Sequence, residues 1–225
     1  MAIYDTSVES ELLTGMRLAR QAISKGDVVV IPTDTVYGIA ADAFQPEAVT
    51  RLLDAKGRGR SAPPPVLVPG VETLDALAES VPDEVRALVD AFWPGGLTVI
   101  LPARASLAWD LGDTSGTVAL RMPANDIALE LMAETGPLAV SSANRTGKPA
   151  AMTAFDAEAA LGDRVAVYLE AGRVGTSYPG ADASTGSTIV DATALHLPEG
   201  KLRIVRHGVI GDDAIIAIVG ADRCE

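Results

Sequence analysis

At 225 residues, with 48% apolar and only 4% aromatic side chains, the chain has ample material for a core and suits an α/β protein rich in Ala, Val and Leu. Its formal net charge of −12, from 30 acidic and 18 basic residues, disfavours a nonspecific nucleic-acid or anionic-membrane surface but leaves room for a local basic cleft. No apolar run approaches the ~20 residues that span a bilayer. The N-terminus shows no secretory signal pattern, and the one cysteine, Cys224, excludes an internal disulfide, so the expectation is a soluble cytoplasmic protein.

Strand and helix patterns alternate along the chain. Ser10 to Lys25 reads as a helix, with Leu12, Met16, Ala19 and Ile23 on one face and Gly26 as its stop. "VVVI" (28–31) reads as a strand, and Pro46 opens a helix ending near Lys56. "PVLV" is a short strand, followed by helices over Thr73–Glu79 and Pro82–Phe92. "LTVILPA" and "GTVALRMP" read as strands, then a helix with Asn125 as N-cap and Gly136 as C-cap. "PLAV" is a strand running into "SSANRTGKP", and Thr153 with Asp156 forms a capping-box pattern for a helix to Leu161. "AVYLEAG", "STIVDAT" and "KLRIVRHG" read as strands, and Gly211–Val219 as a last helix. Residues 172–186, dense in Gly, Ser and Pro, form a long loop of the kind that often serves as a lid. One α/β domain with mixed strand directions fits this order better than two domains.

The common catalytic signatures are missing. There is no GxxxxGK[ST], GxSxG or HExxH, and His196 and His207 are the only histidines. Four stretches remain. "PTDTVYG" packs hydroxyls into one turn, although a plain Asx and Ser/Thr turn explains that pattern as well. "AKGRGRSAPPP" places Lys56, Arg58 and Arg60 on alternate positions, which in an extended segment face one side; a solvated basic loop is the equal alternative. "TVALRMP" puts Arg121 in an apolar strand with Thr117 on the same face, where an ion pair with a carboxylate is the plain alternative. "PLAVSSANRTGKPA" delivers Ser141, Ser142 and Asn144 at a strand end, where open α/β sheets bind ligands. "STIVD" (Ser187, Thr188, Asp191) and "RIVRHG" (Arg206) repeat the theme more weakly. Strands ending in Thr, Ser, Asn, Lys and Arg suit a polyanion held by cations, with a nucleoside triphosphate the obvious one.

The same stretches, with "PGGLTVILPA", resemble in order the YrdC/Sua5 family of L-threonylcarbamoyladenylate synthases, over about Gly26 to Gly208. The resemblance implies a single YrdC-like domain (10–210) with a C-terminal helix and tail (211–225), built as a twisted mixed β-sheet with flanking helices and a cationic ligand cleft. It implies synthesis of threonylcarbamoyl-AMP and pyrophosphate from L-threonine, bicarbonate and ATP, with Mg²⁺ accompanying the triphosphate. The product would pass to a separate transferase complex that makes N6-threonylcarbamoyladenosine at position 37 of tRNA. By the same resemblance Lys56, Arg58, Ser142 and Asn144 carry the chemistry, and Lys56, Arg60, Thr117, Ser142 and Arg206 bind ATP. Thr35, Arg121, Val140 (through its backbone) and Ser187 bind threonine, and no protein-held metal is implied. Two departures stand out: "PPPVLVPG" lacks the histidine that many relatives carry there, and Ala150 stands where a serine often follows the proline of "SAN…P". The family's long form has a further C-terminal domain, so closure here is expected from within, by 172–186. An RNA-binding protein of the same fold, with a weak RNA contact, or a divergent relative without threonine chemistry are the alternatives.

Overall fold

Val28 to Ile31 are four consecutive apolar residues, and none is more than 2% exposed. An unbroken apolar run is what a strand needs when both its faces are covered. Val28 and Val30 pack into one core with Tyr37 and Ile39, whereas Val29 and Ile31 pack into a second with Ala40 and Leu169. Burying a side chain such as Ile31 stabilises the fold by roughly 1.5–3 kcal/mol.

The computed structural model describes residues 2–178 and 185–225. In chain order the first elements are β1 (Ala2–Asp5), α1 (Glu9–Ser24), β2 (Val29–Ile31), β3 (Gly38–Asp42), α2 (Pro46–Lys56) and β4 (Val66–Leu67). Next come α3 (Glu72–Leu77), α4 (Asp83–Phe92), β5 (Leu97–Pro102), β6 (Thr117–Arg121), α5 (Asp126–Thr135) and β7 (Leu138–Ser142). The last are α6 (Ala154–Leu161), β8 (Val167–Glu170), β9 (Thr188–Asp191), β10 (Arg203–Arg206) and α7 (Asp212–Val219). The strands form one mixed sheet in the order β1-β8-β2-β3-β7-β4-β6-β5-β9-β10. Helices α1 and α5 cover one face, and α2, α3, α4, α6 and α7 the other. The architecture is the single α/β domain with a mixed sheet and flanking helices that the alternation of patterns implies.

Local signals explain most boundaries. Asn125 caps α5 by accepting from the Ala128 N–H, and Thr153 and Asp156 form both hydrogen bonds of a capping box on α6. Gly57, at φ 64°, ends α2 in the left-handed conformation that glycine adopts without strain. Two strands go beyond the sequence expectation, the edge strand β1 and the five-residue β3. The C-terminal tail is clamped to the body by Arg223, which donates to Glu84 at 2.9 Å and to the Gly200 carbonyl at 2.7 Å. No helix among the described residues is long and apolar enough to cross a membrane.

One element departs from the rule of full-length neighbours. β4 lies mid-sheet yet pairs only through Val66 and Leu67, with Leu120 and Arg121 of β6 on one side and Ala139 and Leu138 of β7 on the other. Continuing that register backwards places Pro63 to Pro65 opposite Val140 to Ser142. Proline has no N–H to give a ladder, so the strand cannot extend that way. Beyond Val66 the sheet is therefore parted between β6 and β7.

Candidate active site

The parting holds a cavity of about 380 Å³. Pro63, Pro64 and Pro65 line it, with Thr117 to Ala119 of β6 on one bank and Val140 to Ser142 of β7 on the other. The Val140 N–H turns toward this side, donating to the Pro65 carbonyl at 2.8 Å. In a strand the N–H and C=O of one residue point the same way, so the Val140 carbonyl also faces the gap. On the other bank the Arg121 carbonyl accepts from Val68, and the parallel ladder runs back to Val66 opposite Leu120, which leaves the Ala119 carbonyl to the Val66 N–H.

Three guanidinium groups border the cavity, those of Arg58, Arg121 and Arg206, and no carboxylate is among its described lining residues. Arg58 donates to Ser141 Oγ at 3.2 Å, and burial lowers its pKa from the usual arginine value. Arg206 donates through Nε to the Ser187 carbonyl and through Nη2 to Ser187 Oγ, both at 2.9 Å. Burial first, then the charges of Arg121 and Arg58, lower its pKa. Ser187 Oγ also shares a 2.7 Å hydrogen bond with Thr98 Oγ1. Cations that repel one another around a space without acidic side chains make that space favourable for an anion.

Arg121 is the most firmly held. Its Nε donates to the Gly95 carbonyl at 2.8 Å, Nη1 to Thr35 Oγ1 at 3.0 Å and Nη2 to Asp34 Oδ1 at 2.6 Å. Both partners of the ion pair are buried, at 8% and 2% side-chain exposure, so the carboxylate alternative for Arg121 is also realised. Five donors less three leaves two N–H groups of Arg121 for a ligand among the described contacts. The "PTDTVYG" turn is a Thr33 turn: Thr33 Oγ1 accepts from Thr35 and Val36 N–H at 3.2 Å and donates to the Val36 carbonyl at 2.6 Å. It places Thr35 and Asp34 on Arg121, so hydrogen-bonded turn and arginine cradle are one structure.

Of the residues named from the sequence, Thr35, Arg58, Thr117, Arg121, Val140, Ser142, Ser187 and Arg206 all border the cavity. Lys56, Arg60 and Asn144 do not. The alternate spacing of Lys56, Arg58 and Arg60 does not put them on one side, because Lys56 is the last residue of α2 and Gly57 turns the chain behind it. Lys56, 2% exposed, points inward and donates to the carbonyls of Ser142 and of Asn144, the latter at 2.8 Å. Burial, and secondarily Arg58, push its ammonium down to about 8. Asn144 Nδ2 donates to the Arg145 and Lys148 carbonyls at 2.9 and 2.7 Å, while its buried Oδ1 has no partner among the described residues. Lys56 and Asn144 thus brace the 142–148 turn from behind. Arg60 points outward and pairs with Asp110 at 2.7 Å. The expected lid over 172–186 falls in part on 179–184, outside the described residues.

Sequence reasoning passed over Thr98, whose hydroxyl in an apolar strand was a usable signal, and the triple proline, whose missing donors open the gap. It gave no sign of Tyr178, which donates to Asp34 Oδ2 at 2.5 Å from 144 residues away.

A family model, Sua5_yciO_yrdC, described as "Telomere recombination", matches residues 21–208. A Mycobacterium tuberculosis protein provisionally named threonylcarbamoyl-AMP synthase is 46% identical over 219 residues, covering 97% of this chain and 95% of that protein. The Bacillus subtilis threonylcarbamoyl-AMP synthase is 34% identical over 95% of this chain, which spans 60% of it. The structure of Pyrococcus abyssi Sua5 complexed with L-threonine superposes with a TM-score of 0.86 at 30% identity, covering 100% of this chain and 63% of that one. The parted sheet, its three arginines and these likenesses agree: the chain belongs to the Sua5/YciO/YrdC family.

Proposed function

We propose that the protein is an L-threonylcarbamoyladenylate synthase, a nucleotidyltransferase that joins L-threonine, bicarbonate and ATP. The observation that carries this reading is the cavity bordered by Arg58, Arg121 and Arg206 with no carboxylate among its described lining residues, set beside relatives bearing that name. Threonine's amine and bicarbonate form a carbamate with loss of water. A carbamate oxygen then attacks the α-phosphorus of ATP, and pyrophosphate leaves. Both reactants are anions, so cations must offset their repulsion, and transfer of this type depends on positioning and electrostatics rather than on a side-chain base.

In this reading the two remaining N–H groups of Arg121 take the threonine carboxylate. Thr35, Ser187 and the Val140 carbonyl complete that subsite. Arg58, Arg206, Ser142 and Thr117 hold the triphosphate, and Arg60, outside the cavity lining, reaches phosphate only by turning inward from Asp110. Lys56 and Asn144 fix the turn that presents Ser142. Mg²⁺ travels with the triphosphate, held by phosphate and water, since the described residues contain no cluster of three or more His, Cys, Asp or Glu that would hold a metal. Supply of a precursor for tRNA modification places the protein in the cytoplasm and hands its product to a transferase acting on tRNA. The rival RNA-binding reading is disfavoured by the −12 charge.

The test is incubation with ATP, Mg²⁺, bicarbonate and L-threonine, with mass detection of threonylcarbamoyl-AMP and each component omitted in turn. Product that requires every component is expected. Folded protein that binds ATP yet yields no product in any mixture overturns the reading.

A further inference from the structure

Tyr178 lies in the 172–186 loop, outside the motifs above, yet it reaches the cavity arginine that makes the most hydrogen bonds. Asp34 is the intermediary. Its Oδ1 accepts from Arg121 Nη2 at 2.6 Å and from the Ala124 N–H at 2.9 Å, and its Oδ2 accepts from the Tyr178 phenol at 2.5 Å. That phenol is the one partner of Oδ2 among the described residues. A buried carboxylate with one oxygen unbound is costly, and the cheapest relief is to turn that oxygen toward the nearest donors. Those donors are the two N–H groups of Arg121 that otherwise face the cavity. The phenol therefore keeps Asp34 gripping Arg121 by one oxygen instead of two.

The surroundings are built for this contact. Tyr178 lies against the Gly95–Gly96 doublet, and a Cβ on Gly96 would stand 3.1 Å from the phenol oxygen and collide with Val209. Gly95 in turn gives its carbonyl to Arg121 Nε. The doublet thus supplies both the room for the tyrosine and a second anchor for the arginine. Burial, then the hydrogen bond to Asp34, raise the phenol's pKa, so it stays a donor at working pH.

We propose that Tyr178 is a positioning residue which, by occupying Asp34 Oδ2, holds the Arg121 guanidinium with its two remaining N–H groups presented to the cavity and so sets affinity for a carboxylate ligand. The ligand named here, threonine, rests on the function proposed above; the positioning itself does not. Tyr178→Phe keeps the ring on the glycine doublet and removes the one donor.

Two measurements separate the claims. In ¹⁵N NMR of the unliganded protein, with the Arg121 guanidinium signals assigned through Arg121→Lys, the wild type is expected to show its two cavity-facing N–H groups in fast exchange. In Tyr178→Phe the freed Asp34 oxygen takes those groups, so their exchange should slow about tenfold or more at unchanged Tm. Identical Arg121 signals and exchange in the two proteins overturn the proposal, whatever the substrate proves to be. In turnover assays Tyr178→Phe should raise KM for threonine roughly tenfold and leave KM for ATP unchanged. Asp34→Asn/Tyr178→Phe should be no worse than Asp34→Asn alone, because the phenol acts through the carboxylate. Equal rises in both KM values, or a fall in kcat alone, contradict it. Failure of the wild type to make threonylcarbamoyl-AMP would count against the proposed function, and the NMR comparison would still decide Tyr178.

Discussion

Replacing Lys56 by methionine tests whether a residue behind the cavity wall governs the chemistry in front of it. The side chain is 2% exposed and its ammonium serves the carbonyls of Ser142 and Asn144. Methionine fills the same space and leaves both carbonyls without that donor, at about 1–3 kcal/mol each. Against this stands the relief of burying no charge: a pKa lowered from 10.5 to about 8 corresponds to roughly 3 kcal/mol. The two nearly cancel, so stability at about pH 7 should change by no more than about 2 kcal/mol. Turnover should fall at least about a hundredfold as the Ser142 turn loses its brace. The pH dependence has a definite sign. Below about 8 both folded and unfolded chains hold the Lys56 proton and the burial penalty is present in full. Between about 8 and 10.5 the unfolded chain binds more protons than the folded one, so wild-type stability rises with pH relative to Lys56→Met. Urea unfolding of both proteins should show that difference growing by about 2 to 3 kcal/mol from about pH 7 to about pH 10. A flat difference would refute the reasoning and mean that the two carbonyls keep the ammonium charged throughout.

Arg121→Ala leaves Asp34 buried without its cation, so it should cost about 3–5 kcal/mol in urea unfolding as well as weaken threonine binding. Arg58→Ala removes a cation that has no carboxylate partner among the described residues; calorimetry should show weaker ATP binding with stability within about 1 kcal/mol of wild type. Thr153→Ala breaks the capping box of α6 far from the chemistry and should lower stability by about 1 kcal/mol with turnover unchanged.

Helices carried their own signals, because caps and the apolar stripe are local. The Asn125 and Thr153 caps, the Pro46 start and the helix end near Lys56 all stand where the sequence puts them. Strands were legible as apolar runs, but strand order was not, since β7 sits between β3 and β4 through contacts that no local pattern encodes. The same limit shaped the site. Arg121 read as a cation needing a partner, while the identity of that partner, 87 residues away, had no signature. Lys56, Arg58 and Arg60 misled because their spacing was read as extended where the helix persists through Lys56.

The triple proline has a consequence for how this binding surface can change over time. Part of it consists of strand edges exposed for want of a neighbour, and a peptide group is the same whatever side chain it bears. Substitutions at Val140 alter volume but cannot delete the carbonyl there. The outline of the chamber is thus inherited from three imino acids instead of a dozen separately chosen lining groups. Drift in those linings can retune which small molecule fits while the chamber itself stays open.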